Sequence, residues 1–400
     1  MAVAEPTPGE ITGAEAGGVM VSEEATLGGD SVSFAVPMLG MIFGRGEGVK
    51  WPQAVAAAVT PEGDDLALRV LMLDDYASQT KMGIVPFLPF LIPGPALRPE
   101  AADLLPADTE IFASASLDLS QIYDWYTDSM RTAHEMQRSV AATRAGNDGH
   151  QVGTTEDRQA PPQQSDENKE SPVEAQIAAM EKLLGFKIKE DLIGALGNEV
   201  AVGAPASLFF GTRPGGGAGQ AAADSPPAGL AILISLKNRE ALEEKLPRVL
   251  FALGLAGGGG AAVQTEKREG VEITSFGAGA LAFVGNFLVL APDLPSVRRV
   301  VDAHASGQTL SSTYAYRNSQ GWQPRQVLGQ VYVSNALMKS LFADARKAAE
   351  QSADPELKSL LPQLTLDPGA ITHAVTDEGD GPLHELRLPR NLITLTAGYA

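Results

Sequence analysis

Cysteine is absent from the 400 residues, which removes disulfides, thiolate catalysis and Cys-type zinc sites together. Its absence fits export, where a stray thiol would oxidise, and is also compatible with the cytosol. Positive charge is scarce: 30 Lys and Arg stand against 49 Asp and Glu, a formal net charge of -19. A field of that sign repels phosphate backbones and anionic lipid surfaces, so nucleic acid is excluded as a partner. Short basic groups such as Lys187 with Lys189 and Arg298 with Arg299 read as solvated helix faces. Long apolar runs are missing as well. The most apolar stretch, MGIVPFLPFLIPGPAL at residues 82–97, is interrupted by Pro86, Pro89, Pro93 and Pro95, whereas a spanning helix needs ~20 apolar residues and tolerates few prolines. No transmembrane segment is read. The stretch is an extended connector packed along a domain surface, or else an exposed patch that meets a partner or a membrane. The opening MAVAEPTPGEITGAEAGG has neither a basic n-region nor an apolar h-region. No signal peptide is therefore read, and the chain is either cytosolic or begins downstream of its natural start.

What is present is the composition of a folded protein, 44% hydrophobic and 20% charged, with length for two or three domains at roughly 100 to 200 residues each. The fold class expected is α+β, built from repeated strand-helix-helix-hairpin units with mostly antiparallel sheets and disordered insertions. Residues 1–30 read as disordered, 31–80 as a partial first unit ending in a hairpin, and 81–100 as a proline-rich connector. Residues 101–310 form the main α+β domain, with a disordered insertion at 146–170 and a flexible loop at 213–229, and 311–400 form a C-terminal α+β unit. The insertion is polar and rich in Pro and Gln, too poor in apolar surface to order itself.

The trace of a repeat is AVTPEGD at residues 58–64, which returns as AVTDEGD at 374–380. Each copy combines a strand-like run with good turn chemistry, predicting hairpins over 54–73 and 370–388. Further hairpins are predicted about Arg268-Glu269-Gly270 and Gly285-Asn286. A strand over 109–117 leads to Asp118 or Ser120, either of which can cap a helix running to about residue 145. Ser171-Pro172-Val173-Glu174 has the form of a capping box for the next helix. A short helix at 191–196, strands at 199–202 and 207–211, and an apolar strand in LAILISL follow. Asn238 caps a helix to about residue 253, a helix spans 296–305 with Gly307 beyond it, and Ser334 or Asn335 caps another over 336–351.

Candidate sites are few. The five histidines, His134, His150, His304, His373 and His384, lie outside any recognised catalytic pattern and read as solvent-facing structural residues, with a loose pairing of His373 and His384 across the last hairpin conceivable. No GxSxG elbow, zinc-protease helix, phosphate loop or dinucleotide fingerprint occurs. The acidic turns at 62–65 and 377–381 could hold a hard cation such as calcium, although Glu-Gly-Asp is sufficient as turn chemistry. No catalytic, cofactor-binding or metal residue is therefore assigned. Tyr123, Trp125 and Tyr126 cannot all face one core from a single helix, so at least one meets a second domain or a partner.

The stretches LLPADTEIFASASLDLSQIYDWY, LLGFKIKEDLIGALGNEVAVG, GLAILISLKNREALEEKL, FVGNFLVLAPDLPSVRRVVDA and VLGQVYVSNALMKSL, spread over residues 101–342, resemble a bacterial domain-of-unknown-function family, number 3352. The motifs that carry the likeness are a PADT-like strand entry at 106–109, a helix ending in LGNE before a strand at 196–199, and a hairpin leading into a helix at 287–301. The resemblance implies an extracytoplasmic setting, periplasm or cell envelope, with the cytoplasm as the alternative; it transfers no catalytic residue. The expectation is a non-enzymatic envelope protein that binds or scaffolds a protein, peptide or lipid-like ligand. The rival is a hydrolase of the envelope using Asp118, Glu199 and His373.

Overall fold

The computed structural model describes residues 52–74, 84–85, 88, 90–147, 172–210, 229–252, 263–277, 279–324, 326–359, 361–364, 368–390 and 392. The N-terminus expected to be disordered, nearly all of the insertion and loop, and Ser171 of the capping box lie outside these residues. Among them, twelve strands form one sheet in which every pairing is antiparallel. They are β1 (Ala54–Glu62), β2 (Asp65–Leu73), β3 (Ile111–Ser116), β4 (Leu196–Ala204), β5 (Ala231–Leu236), β6 (Gln264–Arg268), β7 (Val271–Phe276), β8 (Gly279–Val284), β9 (Phe287–Ala291), β10 (Gly329–Val333), β11 (Ile371–Asp377) and β12 (Pro382–Pro389). The longer helices are α1 (Leu119–Asn147), α2 (Pro172–Leu184), α3 (Arg239–Ala252), α4 (Leu294–Ser306) and α5 (Asn335–Gln351). The class is thus mixed α+β with antiparallel pairing.

The strand order is β1-β2-β12-β11-β10-β3-β4-β5-β9-β8-β7-β6. It is balanced about the β3–β10 pair. Each of these strands runs into a helix and is flanked by two strands from further along its own part of the chain, β4 and β5 on one side, β11 and β12 on the other. Beyond those, hairpin β8–β9 adds to β5 and hairpin β1–β2 adds to β12. Both AVTxEGD segments are hairpins and stand next to each other. Arg69 lies opposite Glu385, and their sequence separation of 316 equals that of Ala58 from Ala374.

Side chains alternate across a strand, so the sheet has two distinct faces. One carries Phe112, Ala201, Leu233, Ile273, Ala282, Val289 and Tyr332, and holds the largest core. Helix α4 closes it with Val297, Val300 and Val301, all buried, at the i, i+3, i+4 spacing of a helix face. Its ends are set locally: the Asp293 side chain accepts from Ser296 N, and Gly307 takes the left-handed conformation at φ 70. Burying such a valine contributes roughly 1.5 to 3 kcal/mol. On the other face α3 covers Leu236, Leu281, Phe283 and Leu288, and α5 lies over Val333 and Ile371. The described part of the proline-rich connector packs there too: Ile84 joins Leu117, Leu328 and Val375, while bridges link Pro93 to Leu117 and Leu97 to Val327.

Two local expectations give way. Residues Ser207–Phe210 form a helical turn rather than a strand, since a short apolar run reads equally well as either and Pro205 has ended the β4 ladder. The short helix expected at 191–196 is displaced: a π turn at Ile188–Leu192 and a 3-10 turn at Ile193–Ala195 precede β4, which already begins at Leu196.

Candidate functional site

Between α3 and the outer strands lies a groove of about 840 Å³. Alternation brings Glu272 and Thr274 of β7 to the same face as Leu281 and Phe283 of β8, and these form its floor. Helix α3 supplies a wall through Leu246 and Leu250, presented four residues apart. Its far end is closed by the β6–β7 turn and by Val301 and His304 of α4. That turn has positive φ at both central residues, Glu269 at 49 and Gly270 at 80. Such a turn suits the twist of a two-residue hairpin, but the left-handed conformation is costly for glutamate and stores strain at the groove end.

The groove mouth is organised by Arg239, the first residue of α3, which follows Asn238 because the Asn238 side chain accepts from Ala241 N at 3.0 Å and caps the helix. The Arg239 guanidinium lies 5.5 Å from the centre of the Phe283 ring. It donates to Glu243 at 2.7 Å and to the Gly285 carbonyl at 3.3 Å. Its charge is therefore matched. Glu269 lies in the β6–β7 turn beside Arg268, and Glu272 stands opposite Lys267 in the register of that hairpin. The groove combines the apolar side chains of Leu246, Leu250, Leu281 and Phe283 with the carboxylates of Glu269 and Glu272.

A smaller cavity of about 350 Å³ is lined by Asp65, Tyr314, Asn318, Trp322, Thr372 and Arg387, among others. The Arg387 guanidinium stacks 4.4 Å from the Trp322 ring centre and is bound by Glu62 at 2.6 Å and Glu385 at 2.9 Å. Arg69 bridges the same two carboxylates. Burial holds the Asp65 carboxyl above its usual range despite Arg387 nearby.

The residues singled out in the sequence are not brought together. Asp118 caps α1, accepting from Gln121 N at 3.0 Å. Glu199 is 4% exposed and accepts from Glu100 N (2.9 Å), Ala101 N (3.1 Å) and Ser114 Oγ (2.9 Å). It ties the connector to the sheet. Burial pushes its carboxyl up, and those three donors oppose the push. His373 projects from the opposite face, because its register partner in β10, Val331, pairs with Ala113 and not with Ser114.

His373 and His384 do meet. Their Nε2 and Nδ1 atoms are 3.2 Å apart and the rings stack at 5.3 Å. The expectation that they face solvent is corrected: alternation turns both towards the face covered by Ile84, and burial lowers both pKa values, that of His373 to about 4. His384 Nε2 is buried without a hydrogen-bond partner, although the Ile84 carbonyl nearby favours the charged ring. His304 lines the groove, His134 lies on α1, and His150 falls outside the described residues.

In the acidic turns, Glu62 is held by Arg69 and Arg387, and Asp377 accepts from Gly379 N at 2.9 Å, so these carboxylates serve the turns and the sheet. The basic groups are also engaged: Lys187 with Glu181, Lys189 with Asp124, Arg298 with Glu266 and Arg299 with Asp108. Tyr126 is 46% exposed. No helix among the described residues is long and apolar enough to cross a membrane.

Residues 217–378 match the family model described as a protein of unknown function (DUF3352). This is the family that the sequence motifs resemble. No match was found among curated proteins or among solved structures. Every residue lining the larger groove, from Arg239 to Ala305, lies inside the matched segment, whereas Asp65 and Arg387 of the smaller cavity lie outside it.

Proposed function

We propose that this chain is a non-enzymatic binding protein, and that the groove beside α3 holds a ligand with an apolar body and a neutral or cationic end. The observation that carries the reading is the composition of the groove: Leu246, Leu250, Leu281 and Phe283 together with the carboxylates of Glu269 and Glu272. A volume of about 840 Å³ is within the usual range for small-ligand sites. The two carboxylates in the lining select against fatty-acid-like anions. Binding rather than hydrolysis is supported by the separation of Glu199 and His373 on opposite faces and by the engagement of Asp118 as a cap.

The setting in periplasm or envelope is proposed on the family resemblance alone. An internal duplication is proposed from the balanced strand order and from the adjacent AVTxEGD hairpins.

A thermal-shift panel tests the reading. Single-chain amphiphiles with ammonium, hydroxyl or carboxylate ends, kept below micelle formation, are added to the full chain. The first two raise Tm and the third does not; at ligand near 100 times Kd the stabilisation is about 2.7 kcal/mol. No shift with any of them, or a shift only with the carboxylate, contradicts the proposal.

A further inference from the structure

Among the described residues, strand β1 ends the sheet on one side. All of its residues from Ala54 to Val59 are exposed, Val55 and Val59 to 58%. Its sequence, AVAAAVTPE, carries no charge before Glu62. The strand at the opposite end, β6, reads QTEKR, and its Glu266 and Arg268 are ion-paired to Arg298 and Asp302 of α4. Charges of that kind protect an edge from pairing, and β1 lacks them.

The hydrogen-bond pattern fixes which groups of β1 are free. Asp74 N donates to Asp380 O at 2.9 Å and Arg390 N to Asp64 O at 3.0 Å. Even-numbered residues of β2 therefore bond to β12, and odd-numbered ones bond to β1. Through the pairs Thr60 with Ala67, Ala58 with Arg69 and Ala56 with Leu71, the even-numbered residues of β1 are those bonded to β2. Val55, Ala57 and Val59 point their N–H and C=O groups away from the sheet. Pro61, next in that row, has no N–H to offer and ends it.

We infer that β1 pairs antiparallel with β1 of a second copy of this chain, about a two-fold axis at Ala57. That register sets Val55 opposite Val59 of the other copy and Ala57 opposite its own counterpart, so each outward donor meets an outward acceptor. On the other face Ala56 meets Ala58. Beyond these, Ala54 meets Thr60; the cross-strand contacts are between small uncharged side chains, and no charges face each other. A head-to-tail addition of β1 to β6 would set the alanines against Lys267 and Arg268, so the arrangement is a closed dimer and not a fibre. A strand-edge contact is smaller than the ~1,200 Å² of a standard interface, so the dimer dissociates on dilution. Each copy carries a net charge of -19, so added salt strengthens the pairing by screening their repulsion, where it would weaken the binding of a basic peptide.

Sedimentation of the full chain from about 1 to 300 µM, at low and high salt, tests this, together with residue-resolved amide exchange. The mass rises towards twice that of the monomer with concentration and with salt. Over the same range the amides of Val55, Ala57 and Val59 slow by about tenfold or more, while those of Ala56 and Ala58 are protected throughout. Ala57→Lys, at an exposed site, brings two ammonium groups together across the axis and leaves a monomer with unchanged circular dichroism and Tm. A chain monomeric at every concentration, a dimer that survives Ala57→Lys, or protection gained elsewhere than at those three amides overturns the inference.

Discussion

Acidification is expected to weaken the sheet through the histidine pair of β11 and β12. His373 has Val331 and Leu386 as register partners, and His384 has Val375 and Val70. Of the carboxylates on these strands, Glu385 projects from the opposite face, and Asp377, on the same face at the end of β11, accepts from Gly379 N. Burial lowers the His373 pKa from 6.5 to about 4, with the neighbouring His384 adding to the effect. The unfolded chain takes up this proton near pH 6.5, the folded one only near pH 4, so in that window acid favours unfolding and stability rises with pH. At ~1.4 kcal/mol per pH unit the loss between pH 7 and pH 4 is about 3 kcal/mol for this one group. His384 contributes in the same direction. Urea denaturation at a series of pH values, with the wild type beside His373→Leu, measures it. The variant loses His373 as a hydrogen-bond partner for His384 at every pH, so the quantity to compare is the slope with pH. The wild type should lose about 3 kcal/mol more than the variant across the window; groups remote from the pair cancel in the difference, while His384, in contact with His373, does not. Parallel pH profiles for the two proteins would refute the reasoning.

Two further perturbations follow from named contacts. Glu199→Ala leaves the N–H groups of Glu100 and Ala101 and the Ser114 hydroxyl without their acceptor and should cost about 3 to 5 kcal/mol, while Glu199→Gln, which keeps one carbonyl, should cost about 1 to 3; denaturant midpoints compare them. Gly381 has φ 147, and a Cβ there would lie 1.9 Å from the Met72 carbonyl oxygen. Gly381→Ala should therefore destabilise by more than about 2 kcal/mol and should selectively raise amide exchange in β1 and β2, whose junction with β12 it disturbs.

The parts of the fold legible in the sequence were those whose causes are local. The turns at Gly63, Gly270, Gly285 and Gly379 all adopt positive φ, and each sits in a predicted hairpin. Asp118, Asn238 and Ser334 all cap helices through their side chains. What the sequence did not disclose is the joining of these pieces into one sheet. The β2–β12 and β3–β10 pairings link strands far apart in the chain, and such contacts leave no short-range pattern. The same holds for the groove. Its hairpin and helix were both predicted, but the space between them depends on where α3 comes to rest. Glu199 was singled out for possible chemistry, and its burial under the connector could not be read from LGNE. For His373 and His384 the pairing could be suspected from their positions across a turn; their burial could not, because it depends on Ile84, nearly three hundred residues earlier.

The most direct test of the proposed function is a calorimetric titration of the full chain with an alkylammonium and with the alkanoate of equal length, repeated on Glu272→Lys. The wild type is expected to bind the ammonium and not the carboxylate, and the variant, its fold intact by circular dichroism, to reverse the preference. Equal binding of both ligands by both proteins, or no binding by either, would contradict it.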